Sequence, residues 1–178
     1  MTTQYSLTLR VLHWTTAGLV ALQVILASAN IVLYEPRPVL AEALVQTHIS
    51  FGAVVFLLTL ARVGARFASP APVKSPTPAL NAAAQAVHVF LYLCLFALPI
   101  TGYLKLAALG FTITLFGVVP LPALPLNVPL AQSANGLHDA VALVLGGLLA
   151  LHVAAALFHR RLDGRSVLPH MALGLSGR

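Results

Sequence analysis

Histidine is the side chain in this sequence with the most chemistry to offer, because a neutral imidazole can ligate a metal and an exposed one can carry a proton near pH 7. The 178-residue chain has seven. His13, His48, His88, His138 and His152 fall inside long apolar stretches, and His159 ends the last of them. An ionisable group in hydrocarbon is costly unless it faces the interior of a bundle and has a partner, so buried histidines of this kind mark function. His138 and His152 are fourteen residues apart. On a helix that spacing is a rise of about 21 Å and a rotation about 40° short of four turns, so both rings project from nearly one face. A single helix can then serve two stacked sites. Facing helices must complete each site; His48 is predicted at the depth of His138, and His13 at the depth of His152.

The ligand inventory narrows the metal. Zinc and copper sites usually recruit Cys or carboxylates beside His, but the only cysteine is Cys94 and the acids are Glu35, Glu42, Asp139 and Asp163. Imidazole is nearly the sole ligand available, which points to haem. With a single cysteine there is no C-x-x-C-H attachment, so the haem would be held noncovalently, as haem b. Histidine at both axial positions would leave no place for oxygen on the iron and would direct the chemistry to electron transfer. His48 and Arg62 are also fourteen apart. Arg62 is therefore expected to point inward at the level of His13 and His152, where its guanidinium can pair with a haem propionate; the competing expectation is that it snorkels to the headgroups.

The elements that position these residues follow from composition. With 59% hydrophobic residues, 8% charged residues and a mean hydropathy of +0.92, the chain lies far outside soluble norms. Four stretches are long enough to cross about 30 Å of hydrocarbon as helices, at about 11–34, 43–63, 82–104 and 138–159. The expected fold is an all-α, integral membrane four-helix bundle forming one domain over residues 1–178. Ala27-Ser28-Ala29 has the small residues of a signal-peptidase site, but the apolar run continues past it, which favours a span over a leader. Pro70, Pro72, Pro76 and Pro78 mark an extended linker over about 67–80. Pro120, Pro122, Pro125 and Pro129 make the uncharged segment 106–136 read as an interfacial or re-entrant loop.

Charge sets the expected orientation. Four spans put Arg10, Arg62, Arg66, Lys74, Arg160, Arg161, Arg165 and Arg178 on one side and leave Arg37 and Lys105 on the other. By the positive-inside rule both termini are cytoplasmic. The net charge of +6 is thus topological; the basic residues are scattered, with no aromatic interleaving, which argues against nucleic acid as a partner.

Taken together, Leu12-His13-Trp14, the His48-to-Arg62 helix, His88 through Tyr92 to Ala97-Leu98-Pro99 and Gly102, Phe116-Gly117, and the His138-to-His152 pair running into His159 resemble the bacterial cytochrome b561 family. The resemblance spans nearly the whole chain and extends to the cytochrome b subunits of formate dehydrogenases and hydrogenases. It implies a dihaem protein of the bacterial inner membrane in which His13 and His152 ligate the cytoplasmic haem and His48 and His138 the outer one. It also implies electron exchange with ubiquinone and, in the type most alike, oxidation of periplasmic superoxide. His159 matches a position associated with quinone binding, although relatives often carry two adjacent histidines there and this chain has Arg160.

Alternatives stay open at several residues. His88 is a second candidate ligand for the cytoplasmic haem, a propionate or quinone partner, or a packed interior histidine. Lys105 is either a loop charge or an attractor of anions, and His170 in the tail is expected to be uninvolved. At the level of the whole protein, the alternatives to a superoxide-to-ubiquinone carrier are a membrane anchor relaying electrons from a partner redox subunit and a small transporter using histidines as a proton relay.

Overall fold

The computed structural model of the chain describes residues 5–69, 78–162 and 171. These residues form four long helices: α1 (Leu7–Leu33), α2 (Pro38–Ala68), α3 (Pro78–Ala107) and α4 (Val128–Leu162). All four are long and apolar enough to cross a membrane. At 31 residues, α2 extends about 46 Å, more than the roughly 30 Å of hydrocarbon, so its ends stand in the headgroup region. The same excess makes the helices longer than the apolar stretches alone predict. Polar residues at the boundary meet water and can continue a helix.

Each start has a local cause. Ser6 caps α1 by accepting the Leu9 N–H at 3.4 Å, and Asn127 Oδ1 accepts the Leu130 N–H at 3.0 Å at the start of α4, each satisfying one of the donors a helix leaves unpaired. Pro38 opens α2 where its missing N–H costs nothing. The same reasoning corrects the expected loop over 106–136. Pro129 lies in the first turn of α4, where proline is tolerated, so residues 128–136 are helical and α4 begins ten residues before His138. Pro78 likewise lies in the first turn of α3, while Pro70, Pro72 and Pro76 of the expected linker are outside the described residues.

Between α3 and α4 the chain turns at Gly110 (φ 79°) and makes a short antiparallel hairpin, β1 (Thr114–Leu115) with β2 (Val119–Pro120). Phe116 and Gly117 form its tip with φ of 52° and 70°. The hairpin is pinned to the bundle by Ser50 Oγ of α2, which accepts the Phe116 N–H at 2.9 Å. The backbone N–H of Asn127 closes the loop by donating to the Ala108 carbonyl at 2.8 Å.

Helices α1 and α2 pack along each other, as do α3 and α4, and α2 also meets α3. The outward faces are apolar: Val24, Ile25, Leu57, Val89, Leu143 and Val153 are all exposed, as lipid-facing side chains are. The packed centre takes Val20 from α1, Val55 from α2, Cys94 and Leu95 from α3 and Leu145 from α4. The antiparallel order gathers Arg10, Arg62 and Arg66 at the end of the bundle where α1 begins and α4 ends, the termini end. Arg37 and Lys105 lie at the opposite, hairpin end.

Candidate functional site

The central layer divides the histidines into two levels by a seven-residue spacing. Leu145 lies seven residues from both His138 and His152, Val20 seven from His13, Val55 seven from His48 and from Arg62, and Leu95 seven from His88. Seven residues rise about 10.5 Å and fall about 20° short of two turns. Each of these five histidines therefore shares a helix face with a core residue, about 10 Å above or below the middle of the bundle.

At the hairpin end, the His48 ring of α2 faces the His138 ring of α4 with centroids 6.4 Å apart and planes at 67°. At the termini end, His13 of α1 faces His152 of α4 at 6.4 Å and 66°. Two metal–imidazole bonds of about 2.0–2.1 Å, with about 1.1 Å from each nitrogen to its ring centre, would place trans-ligating rings about 6.2–6.4 Å apart. Both ring separations are compatible with a shared metal ion held between the two imidazoles. The donor set also suits haem, since among the described residues no carboxylate or thiol joins either pair to make a three-ligand metal group.

Second contacts decide which nitrogen is presented. His48 Nδ1 is 3.2 Å from the Gln23 carbonyl oxygen, and His138 Nδ1 is 3.1 Å from the Leu98 carbonyl oxygen. A carbonyl can only accept, so in both rings the proton is on Nδ1 and Nε2 keeps its lone pair for a metal. The Gln23 side chain returns the contact by donating from Nε2 to the His48 carbonyl at 2.9 Å. Gly52 leaves room for this approach, because a Cβ there would lie a tight 3.1 Å from Gln23 Nε2. At the termini end, His13 Nδ1 is buried and has no hydrogen-bond partner among the described residues.

The termini end is more crowded. The His88 ring of α3 lies 5.3 Å from His152, and Trp14 stands edge-on to His13 at 5.3 Å. The His88 and His152 rings are thus closer together than the rings of either facing pair. Arg62 points inward over the Tyr92 ring, 5.4 Å from its centroid, as the spacing predicts. A turn further out, Arg66 lies 5.8 Å over the ring of Tyr5. Burial pushes the Tyr5 phenol up, with Arg66 and Arg62 pulling it down. The Trp14 indole N–H donates to the Met171 carbonyl at 2.7 Å. The backbone of His159 lies in the last turn of α4, and His170 is outside the described residues.

Sequence reasoning did not find the hydrogen bonds that hold the hairpin-end rings. Gln23, Leu98 and Thr101 carry no signal as isolated residues, and two of the acceptors are backbone carbonyls whose direction only the packed helices define. Gly102, within the motif quoted above, was the available clue.

Residues 4–174 match the family model described as prokaryotic cytochrome b561. The chain belongs to the prokaryotic cytochrome b561 family. Family membership makes it a multi-pass membrane protein of electron transfer that binds b-type haem. Among curated relatives, a protein of Yersinia pestis named probable superoxide oxidase CybB is 31% identical over 152 residues, covering 83% of this chain and 84% of its own. Two proteins of Escherichia coli K12 are also similar. Cytochrome b561 homolog 2 is 35% identical over 129 residues (71% of this chain, 69% of its own), and cytochrome b561 homolog 1 is 28% identical over 171 residues (94% and 96%).

Proposed function

We propose that the chain holds two haem b groups, one between His13 and His152 and one between His48 and His138, and carries single electrons between superoxide at the hairpin end and ubiquinone at the termini end. The observation that carries this reading is the pair of matched ring geometries, 6.4 Å at 66° and 6.4 Å at 67°. The name of the Yersinia pestis relative supports superoxide as donor. The distribution of Arg10, Arg62 and Arg66 against Arg37 and Lys105 supports cytoplasmic termini in a bacterial inner membrane.

When bound, the haems supply reversible one-electron chemistry. The chain supplies ligation, burial and orientation. His48 and His138 present Nε2 inward because Nδ1 is committed to carbonyls, and Arg62 places a positive charge at the termini-end level, where it can pair with a propionate. His152 pairs with His13 across the bundle, and His88 beside it serves as a propionate or quinone partner. The overall reaction balances as two superoxide anions each losing one electron to become dioxygen, and one ubiquinone gaining two electrons and two protons. His159 in the last turn of α4 is the group suited to deliver a proton at that end.

The test is a reduced-minus-oxidised spectrum with haem quantitation on the purified full-length protein, followed by a superoxide-to-ubiquinone assay. Two haems per chain and superoxide-dependent quinone reduction are expected. One haem per chain would overturn the ligand assignment. Two haems without superoxide oxidation, in a protein that copurifies with a redox subunit, would replace the donor.

A further inference from the structure

The segment Ala97-Leu98-Pro99 to Gly102 of α3 borders the hairpin-end site without supplying a ligand. Three of its features converge on one ring. The Leu98 carbonyl oxygen is 3.1 Å from His138 Nδ1. Thr101 Oγ1, on a residue only 5% exposed, is also 3.1 Å from that nitrogen. Gly102 completes the cradle, since a Cβ there would lie 3.1 Å from His138 Cε1 and 3.4 Å from Nδ1. Side chain, carbonyl and missing side chain all fit one orientation of the imidazole.

The direction of each hydrogen bond follows from its neighbours. Thr101 Oγ1 is 2.8 Å from the Ala97 carbonyl and 3.1 Å from that of Leu98, and both can only accept. The hydroxyl hydrogen is therefore used within α3, and Oγ1 meets His138 as an acceptor. The Nδ1–H is shared between Oγ1 and the Leu98 carbonyl. Pro99 sits between the two acceptors; it has no N–H, and its ring presses on the preceding turn, which loosens the helix where it must reach α4.

From this arrangement we propose that Thr101 is a positioning residue for the hairpin-end haem, holding His138 with Nδ1 protonated and Nε2 toward His48, and setting that haem's reduction potential through the second acceptor it provides. A stronger hydrogen bond from the distal ring nitrogen makes the coordinating nitrogen more basic. A more basic ligand favours ferric over ferrous iron, so Thr101 lowers the potential. The proposal rests on the assignment of His138 as a haem ligand.

The experiment uses the full-length, haem-loaded protein in detergent, with wild type, Thr101→Val, Thr101→Ser, Gly102→Ala and His138→Ala compared by haem content, redox titration and electron paramagnetic resonance of the ferric state. Thr101→Val is expected to keep two haems, raise the midpoint potential of one and leave the other unchanged, with Thr101→Ser restoring it. Gly102→Ala is expected to shift the resonance of the same haem, because the ring must move, and this variant decides if Thr101→Val loses haem. Two haems with wild-type potentials and resonances in both Thr101→Val and Gly102→Ala would overturn the role of the cradle alone. Retention of two haems in His138→Ala would overturn the ligand assignment on which it rests.

Discussion

At the hairpin end, both imidazoles have Nδ1 tied to backbone carbonyls, His48 to Gln23 and His138 to Leu98 with Thr101 beside it. At the termini end, His13 Nδ1 has no hydrogen-bond partner among the described residues, and three imidazole rings and a guanidinium share one level. The ring pairs nevertheless have the same separation and nearly the same angle. Equal ligation geometry combined with unequal surroundings gives two sites that would hold the same group at different potentials. Under the ligation proposed above, hydrogen bonding to the ligands would lower the potential at the hairpin end, and the Arg62 charge would raise it at the termini end by favouring the reduced, less positive iron. Lys105, half-buried in the last turn of α3, is close enough to act on both hairpin-end rings, and its charge works against the effect of their hydrogen bonds. Where the hydrogen bonds and Arg62 outweigh Lys105, the proposed haems would form a gradient running from the hairpin toward the termini.

The largest effect would break the comparison at its root. Replacing His138 or His152 by alanine is expected to remove one of two haems, read as half the haem content, whereas His88→Ala is expected to retain both. If His88→Ala instead loses a haem and His13→Ala does not, the termini-end pair is His88 with another ligand. Next in size is the gradient: redox titration is expected to give a lower midpoint potential for the haem lost in His138→Ala than for the one lost in His152→Ala, and equal potentials would mean that the surroundings do not matter. Arg62→Leu should then lower the termini-end potential selectively.

Smaller effects bear on how each end is held. Ser50→Ala removes the acceptor of the Phe116 N–H and is expected to cost about 1–3 kcal/mol, read as a lower thermal midpoint together with faster proteolysis at the hairpin. Unchanged proteolysis would show that the hairpin is held by its apolar contacts. Trp14→Phe keeps the ring beside His13 but loses the bond to the Met171 carbonyl, at a cost of about 0.5–1.5 kcal/mol. Both haem spectra should survive that change; loss of the termini-end haem would show that the indole N–H shapes the site.

Much of this molecule is legible in one dimension because helices repeat. Apolar runs longer than the membrane is thick define four spans, and fourteen-residue spacings place His138 with His152 and His48 with Arg62 on common faces, since fourteen residues nearly complete four turns. Ligand chemistry then favours haem, because imidazole has almost no competitors in this sequence. Helix ends are less legible, and Pro129 shows why: a proline breaks a helix interior but suits its first turn, and composition does not say which applies. The partners of the imidazoles are not legible at all. Whether His13 or His88 faces His152 at a metal-spanning distance, and whether Nδ1 of His48 and His138 meets a carbonyl, depends on the rotation and approach of neighbouring helices. Tertiary packing alone decides these, because the acceptors are backbone atoms that every residue carries and only a folded chain aims.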